Sequence, residues 1–244
     1  MIQTKTLIMY FALSCFAGVL ILFFILTAPM TPLPMLFKEK LTIGGVFIFL
    51  CVIGIFFAIY PNWFHRYLVK NTTKESSLPS MKKRLFRGHH PDCSIFQTHT
   101  IHWKKKTWCA GCLGLLIGLC TSIVLMILYL GVEFQFTKTT SLLLYLLAVL
   151  IVSSVFAETG YQRRYPLVHL VMNSLLPMSF LLITIDVGVS TGQVVYALFT
   201  LLLCVLWLDT RIQLSRWKHR SLCMECALSC KMFTKSFSTA RGNT

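Results

Sequence analysis

Six apolar runs constrain this chain more than any other feature: Leu7–Thr27, Leu41–Tyr60, Cys109–Leu130, Ser141–Ala157, Leu167–Ile185 and Gln193–Leu208. A helix needs about 20 apolar residues to cross the roughly 30 Å hydrocarbon core of a bilayer. Each run is therefore read as a transmembrane helix, with the fourth and sixth close to the lower length limit. Composition agrees, since 56% of the 244 residues are hydrophobic and 13% are charged, about half the roughly 25% charge of a soluble domain. The expected fold class is all-α: a polytopic membrane protein of about six transmembrane helices with a Cys/His-rich cytoplasmic loop and tail. The first run is longer than the apolar core of a secretory signal and is followed by Pro29 where cleavage needs small residues, so it is expected to be retained.

Basic residues set the orientation, because short loops rich in Lys and Arg stay on the cytoplasmic side. Twenty of the 23 fall on one face: Lys5, ten from Arg66 to Lys106, Arg163 and Arg164, and seven from Arg211 to Arg241. The other face has Lys38, Lys40 and Lys138. This asymmetry predicts a multi-pass protein of the cytoplasmic membrane with both termini in the cytoplasm. The net charge of +15 is accounted for by topogenesis and attraction to anionic headgroups, so the expected partners are the lipid bilayer and another membrane protein or a second copy, with no nucleic acid. The chain divides into transmembrane helices 1 and 2 (1–60), a basic loop with a His/Cys cluster (61–108), transmembrane helices 3 to 6 (109–209) and a basic Cys-rich tail (210–244).

The chemistry concentrates at the end of the loop. Between positions 89 and 112 stand seven candidate ligands, His89, His90, Cys93, His99, His102, Cys109 and Cys112. His90-x2-Cys93 and Cys109-x2-Cys112 are separated by fifteen residues, the spacing of a two-knuckle zinc site with one His in place of Cys. Pro91 restrains His90 to extended geometry and leaves His89 as the alternative ligand. His99 and His102, at i and i+3, share a face if that stretch is helical. Cytosolic thiols stay reduced, which favours ligands or catalytic groups over structural disulfides. The tail holds a second set, His219, Cys223, Cys226 and Cys230, able to form its own site or to complete a four-cysteine centre with Cys109 and Cys112. An iron–sulfur cluster is the less favoured cofactor, because the C-x2-C-x2-C spacing is absent and the surroundings are His-rich.

Two further readings stay open. Cys109 and Cys112 stand where a helix emerges from Lys104, Lys105 and Lys106, so the helix N-terminus and nearby cations favour thiolate for disulfide exchange as much as for metal binding. A hydrolase is poorly provided for, with no H-E-x-x-H or H-x-x-E-H pattern and only Asp92 as an acid inside the cluster. A small-solute or metal transporter is weakened by the lack of midplane carboxylates: Glu158, His169 and Asp209 fall near the cytoplasmic ends of their helices and Asp186 near an outer end. Glu158, Arg163, Arg164 and His169 are read first as a simple solvated interface, with a boundary charge network beside the metal site as the alternative. Asn173 and Pro177 are read as helix packing, with a kink or a polar contact as the alternative, and Gly114-x3-Gly118 as a close helix contact. Cys15, Cys51, Cys120 and Cys204 are read as small packing residues.

The stretch HHPDC followed by CAGCLGLLIG resembles a group of uncharacterised prokaryotic, largely archaeal, small membrane proteins of unknown function. These carry a His/Cys element before a C-x-x-C-x-G-x-x-x-G helix start. The resemblance covers about 30 of the 244 residues. It implies that His89, His90, Cys93, Cys109 and Cys112 matter, and it implies no reaction; whether the protein is an enzyme stays open, with binding or assembly favoured.

Overall fold

The computed structural model describes residues 2–29, 34–59, 86–87, 100–103, 106–161 and 165–224. Its helices are α1 (Ile2–Thr27), α2 (Phe37–Ile59), α3 (Ala110–Leu130), α4 (Lys138–Gly160), α5 (Pro166–Thr191) and α6 (Val194–Met224). All six are long and apolar enough to cross a membrane, so the chain is a multi-pass membrane protein. Each encloses most of one expected run, and its polar flanks add turns because backbone groups in hydrocarbon must be paired within the helix. The short fourth run thus becomes a 23-residue helix. At α6 the boundary moves: the helix reaches Met224, so the first part of the segment read as a tail is helical.

α5 is the central helix. Half of its apolar window is buried, against 22–39% in the others, and it lies between two packed clusters. One joins α1, α4, α5 and α6 through Ile21, Phe24, Ala148, Leu176, Ile183 and Trp207. The other joins α2, α3, α5 and α6 through Ile43, Phe47, Met126, Leu181 and Ala197. Phe16, Val19 and Phe23 on α1 and Leu143, Leu146 and Leu150 on α4 face outward, as lipid contact requires. Cys51 and Cys204 are buried as expected, whereas Cys15 and Cys120 are exposed on the outer surface of the bundle.

Small residues set how closely α3 and α5 approach. A Cβ at Gly114 would fall on the carbonyl oxygen of Leu170, and one at Gly118 on that of Ser174; backbone meets backbone, as the small-xxx-small spacing predicts. Polar side chains fasten the other helices. Trp207 Nε1 donates to the Ser14 carbonyl at 2.9 Å, Tyr145 donates to the Gly18 carbonyl at 2.9 Å, and the hydroxyls of Ser14 and Thr210 lie 2.7 Å apart. Within α5, Ser179, Thr184 and Thr191 donate to carbonyls one turn back, each at 2.7 Å, which lets hydroxyls sit in an apolar interior. The helix continues past Pro177, which is buried within it. It ends at Gly192, whose φ of 65° is the left-handed conformation glycine adopts without strain.

A small sheet, absent from the expectation, precedes α3. Strands β1 (Phe86–Arg87), β2 (Thr100–Trp103) and β3 (Lys106–Cys109) lie in the order β1-β3-β2. β2 and β3 are antiparallel, with Trp103 opposite Lys106 and Thr100 opposite Cys109; β1 is parallel to β3, with Arg87 opposite Trp108. His102 therefore lies in a strand, and the helical face proposed for His99 and His102 does not form there. The alternation T-I-H-W and K-T-W-C, rich in β-branched and aromatic residues, is the local cause.

Candidate functional site

The site is built where β3 passes directly into α3. Cys109 closes the strand in extended conformation (φ −72°, ψ 121°) and stands at the N-cap of the helix; Cys112 follows three residues later in the first turn. Both are half-buried and neither is in a disulfide. The Cys109 side chain makes no close capping hydrogen bond to the helix. Its acidity is nevertheless raised: the Cys112 thiol donates to its sulfur, the amide groups of Cys112 and Gly111 face it, and His169 adds a smaller electrostatic contribution, which together outweigh burial and bring its pKa down to about 5. The shift favours the thiolate form of Cys109.

Behind this pair lies a polar network contributed by three more helices. His169, in the first turns of α5, is 5% exposed, and its Nδ1 lies 2.8 Å and 3.0 Å from the two carboxylate oxygens of Glu158 near the end of α4. A carboxylate only accepts, so this contact places the hydrogen on Nδ1. Asn173, one turn on, donates to the His169 carbonyl at 2.5 Å and accepts from Arg211 of α6. Arg211 is also within electrostatic reach of Cys112. His169 meets the thiol segment edge-on, for a Cβ at Gly111 would come within 2.7 Å of its Nε2. Glycine at 111, between the two cysteines, is what lets the ring seat there.

For two features the alternative reading holds over the preferred one. Glu158 and His169 do meet, but they form a buried pair and not a solvated boundary; Arg163 and Arg164 lie outside the described residues. Asn173 makes specific polar contacts besides its part in packing. Arg211 escaped the sequence reading because it stands beyond the end assigned to the sixth span, and a basic residue in the turn after an apolar run was the available signal.

Of the predicted metal ligands, Cys109 and Cys112 are brought together. His89, His90 and Cys93 lie outside the described residues, as do His99, Cys226 and Cys230. His219 and Cys223 fall within the last turns of α6. Among the described residues, no three His, Cys, Asp or Glu side chains are grouped to hold a metal ion. Cys109 and Cys112 thus amount to two thiol ligands, half of a tetrahedral set.

Compared with protein families, curated proteins and solved structures, the chain matches none.

Proposed function

We propose that the protein sits in the cytoplasmic membrane with both termini in the cytoplasm, and that Cys109 and Cys112 supply two thiolates to a zinc ion completed by Cys93 and one of His89 or His90. The centre is structural. It holds the loop against the start of α3 and presents a rigid surface for assembly with another membrane protein or a second copy. A loop of this length cannot build a hydrophobic core of its own, and metal binding substitutes for one.

The observation that carries this reading is the strand-to-helix junction. A β-hairpin delivers two thiols to the start of a helix, Cys109 at its N-cap and Cys112 in its first turn. β1, paired with β3, ends at Arg87, two residues before His89 in sequence. The second ligand pair thus follows β1 closely in sequence. The buried Glu158–His169 pair backs the junction with a fixed polar wall, the kind of outer layer that orients thiolate ligands.

Metal analysis of detergent-purified protein tests the proposal: Cys109→Ser and Cys93→Ser should each lower zinc content. If Cys223→Ser or Cys226→Ser removes the metal while Cys93→Ser does not, the centre is instead a four-cysteine clamp between α3 and the segment after α6. The tail set His219, Cys223, Cys226 and Cys230 is otherwise a second candidate site.

A second reading has its own support in the S–H···S contact, which is the reduced form of an exchangeable dithiol. Oxidation would join the two sulfurs, pass two electrons to a quinone or a disulfide, and release the Cys112 proton, with that of Cys109 where it is still bound; a quinone takes any further proton from water. Acid quench and alkylation distinguish it: a large oxidised fraction that responds to added quinone or disulfide would favour redox exchange over zinc. Stoichiometric iron with visible charge-transfer absorption would instead favour an iron–sulfur electron carrier.

A further inference from the structure

At the end of the bundle opposite Cys109, the last turns of α5 hold a carboxylate with no counter-charge among the described residues. Asp186 is 0% exposed. One of its oxygens accepts from the Ser190 hydroxyl at 3.3 Å, and the Ser190 hydroxyl lies 2.7 Å from that of Ser141 on α4, which also reaches Asp186. The other carboxylate oxygen, Oδ2, is buried without a hydrogen-bond partner among the described residues. Buried polar atoms are almost always satisfied, and a charged one inside a membrane protein marks a functional site by default.

The neighbouring cations are engaged elsewhere. Lys138 donates to the Leu26 carbonyl at 2.7 Å; Lys40 donates to the Val132 carbonyl at 3.4 Å and sits over the Tyr129 ring. Lys38 is exposed. Helix dipoles give little relief. Asp186 lies close to the C-terminus of α5, where the partial charge is negative. At the start of α4, the Thr140 amide is taken by the Thr137 hydroxyl and the Ser141 amide by the Thr137 carbonyl. The site therefore combines a carboxylate, two hydroxyls and the negative end of a helix, with no ion pair to Asp186 among the described residues.

We infer that Asp186, Ser141 and Ser190 bind a small monovalent cation, sodium, at this end of the bundle. Oxygen-only donors select a hard cation over the thiophilic metals proposed for the opposite end. A single carboxylate balances one positive charge, whereas a divalent ion would leave a buried net charge. The two hydroxyls are hydrogen-bonded to each other at 2.7 Å, and a cation would part them to take both oxygens as ligands; the salt comparison below decides between sodium and potassium. The cation would tie α4 to α5 as a ligand that binds only the folded state.

Thermal unfolding of the detergent-purified full chain, in sodium, potassium or choline chloride at equal ionic strength and fixed pH, tests this. Sodium should raise the midpoint by several degrees in a saturable manner, and potassium and choline should not. Asp186→Asn, which keeps the side-chain shape, should unfold at one temperature in all three salts, and Ser141→Ala should shift the sodium titration to at least tenfold higher concentration. Identical wild-type midpoints in sodium and choline overturn the inference, as does a midpoint that follows pH but ignores sodium, which would identify the occupant as a proton. If Asp186→Asn fails to fold, the wild-type salt comparison still decides.

Discussion

The imidazole of His169 rests on Gly111: a single added carbon at that glycine would stand 2.7 Å from Nε2, closer than nonbonded carbon and nitrogen approach. The contact joins the thiol segment to the network of Glu158, Asn173 and Arg211, of which Asn173 is buried and the other two are partly buried, so a change behind the site is transmitted to Cys109 and Cys112 through packing.

Gly111→Ala should therefore destabilise the protein by about 1–3 kcal/mol, the usual range for overpacking. Gly45→Ala, with open space around it, is the control and should cause no loss. Thermal melts of the two variants in the same detergent check the difference.

Glu158→Ala leaves the Nδ1 hydrogen of His169 buried without its acceptor, which should cost about 1–3 kcal/mol. The loss should appear as a lower midpoint together with faster alkylation of Cys109, because the wall behind the thiols loosens. A lower midpoint with unchanged alkylation would show that the network supports the helices alone.

In metal-free protein, Cys109 should titrate near pH 5 and not near the ordinary thiol value of 9. Its pKa is depressed in the folded state, so the associated stability is fully present above about pH 9, declines as pH falls, and is gone below about pH 5. The pH profile of iodoacetamide labelling, with Cys112→Ser as comparison, measures it. Because the Cys112 thiol is the main cause of the depression, that variant should shift the Cys109 profile upward.

Much of this architecture was legible in the sequence. Continuous apolar runs specify spans directly, since hydrocarbon leaves the backbone few alternatives to the helix, and Gly114-x3-Gly118 signalled a close helix approach without saying that α5 is the partner. Helix ends were less legible: polar residues from Asp209 onward gave no apolar signal for the continuation of α6. The sheet was missed because the T-I-H-W and K-T-W-C segments are only four residues long. At the site, Cys109 and Cys112 were found by their spacing. The meeting of Glu158, His169 and Arg211 in one network was not, because it depends on which helices neighbour one another, and that depends on packing across the whole bundle.

The orientation has its own test. A cysteine introduced at Ser77, in an otherwise cysteine-free background, should resist membrane-impermeant maleimide in intact cells and react after permeabilisation. Labelling from outside would reverse the assignment drawn from the Lys and Arg asymmetry.

The most direct measurement is the metal-to-protein ratio of the purified chain, made by elemental analysis on wild type and Cys109→Ser in parallel. The expected result is about one zinc per wild-type chain, as for a single tetrahedral site, with most of it lost in the variant and the transmembrane bundle still folded. Wild-type protein purified without chelators that holds no stoichiometric zinc, or a variant that keeps it in full, would contradict the assignment of Cys109 as a zinc ligand.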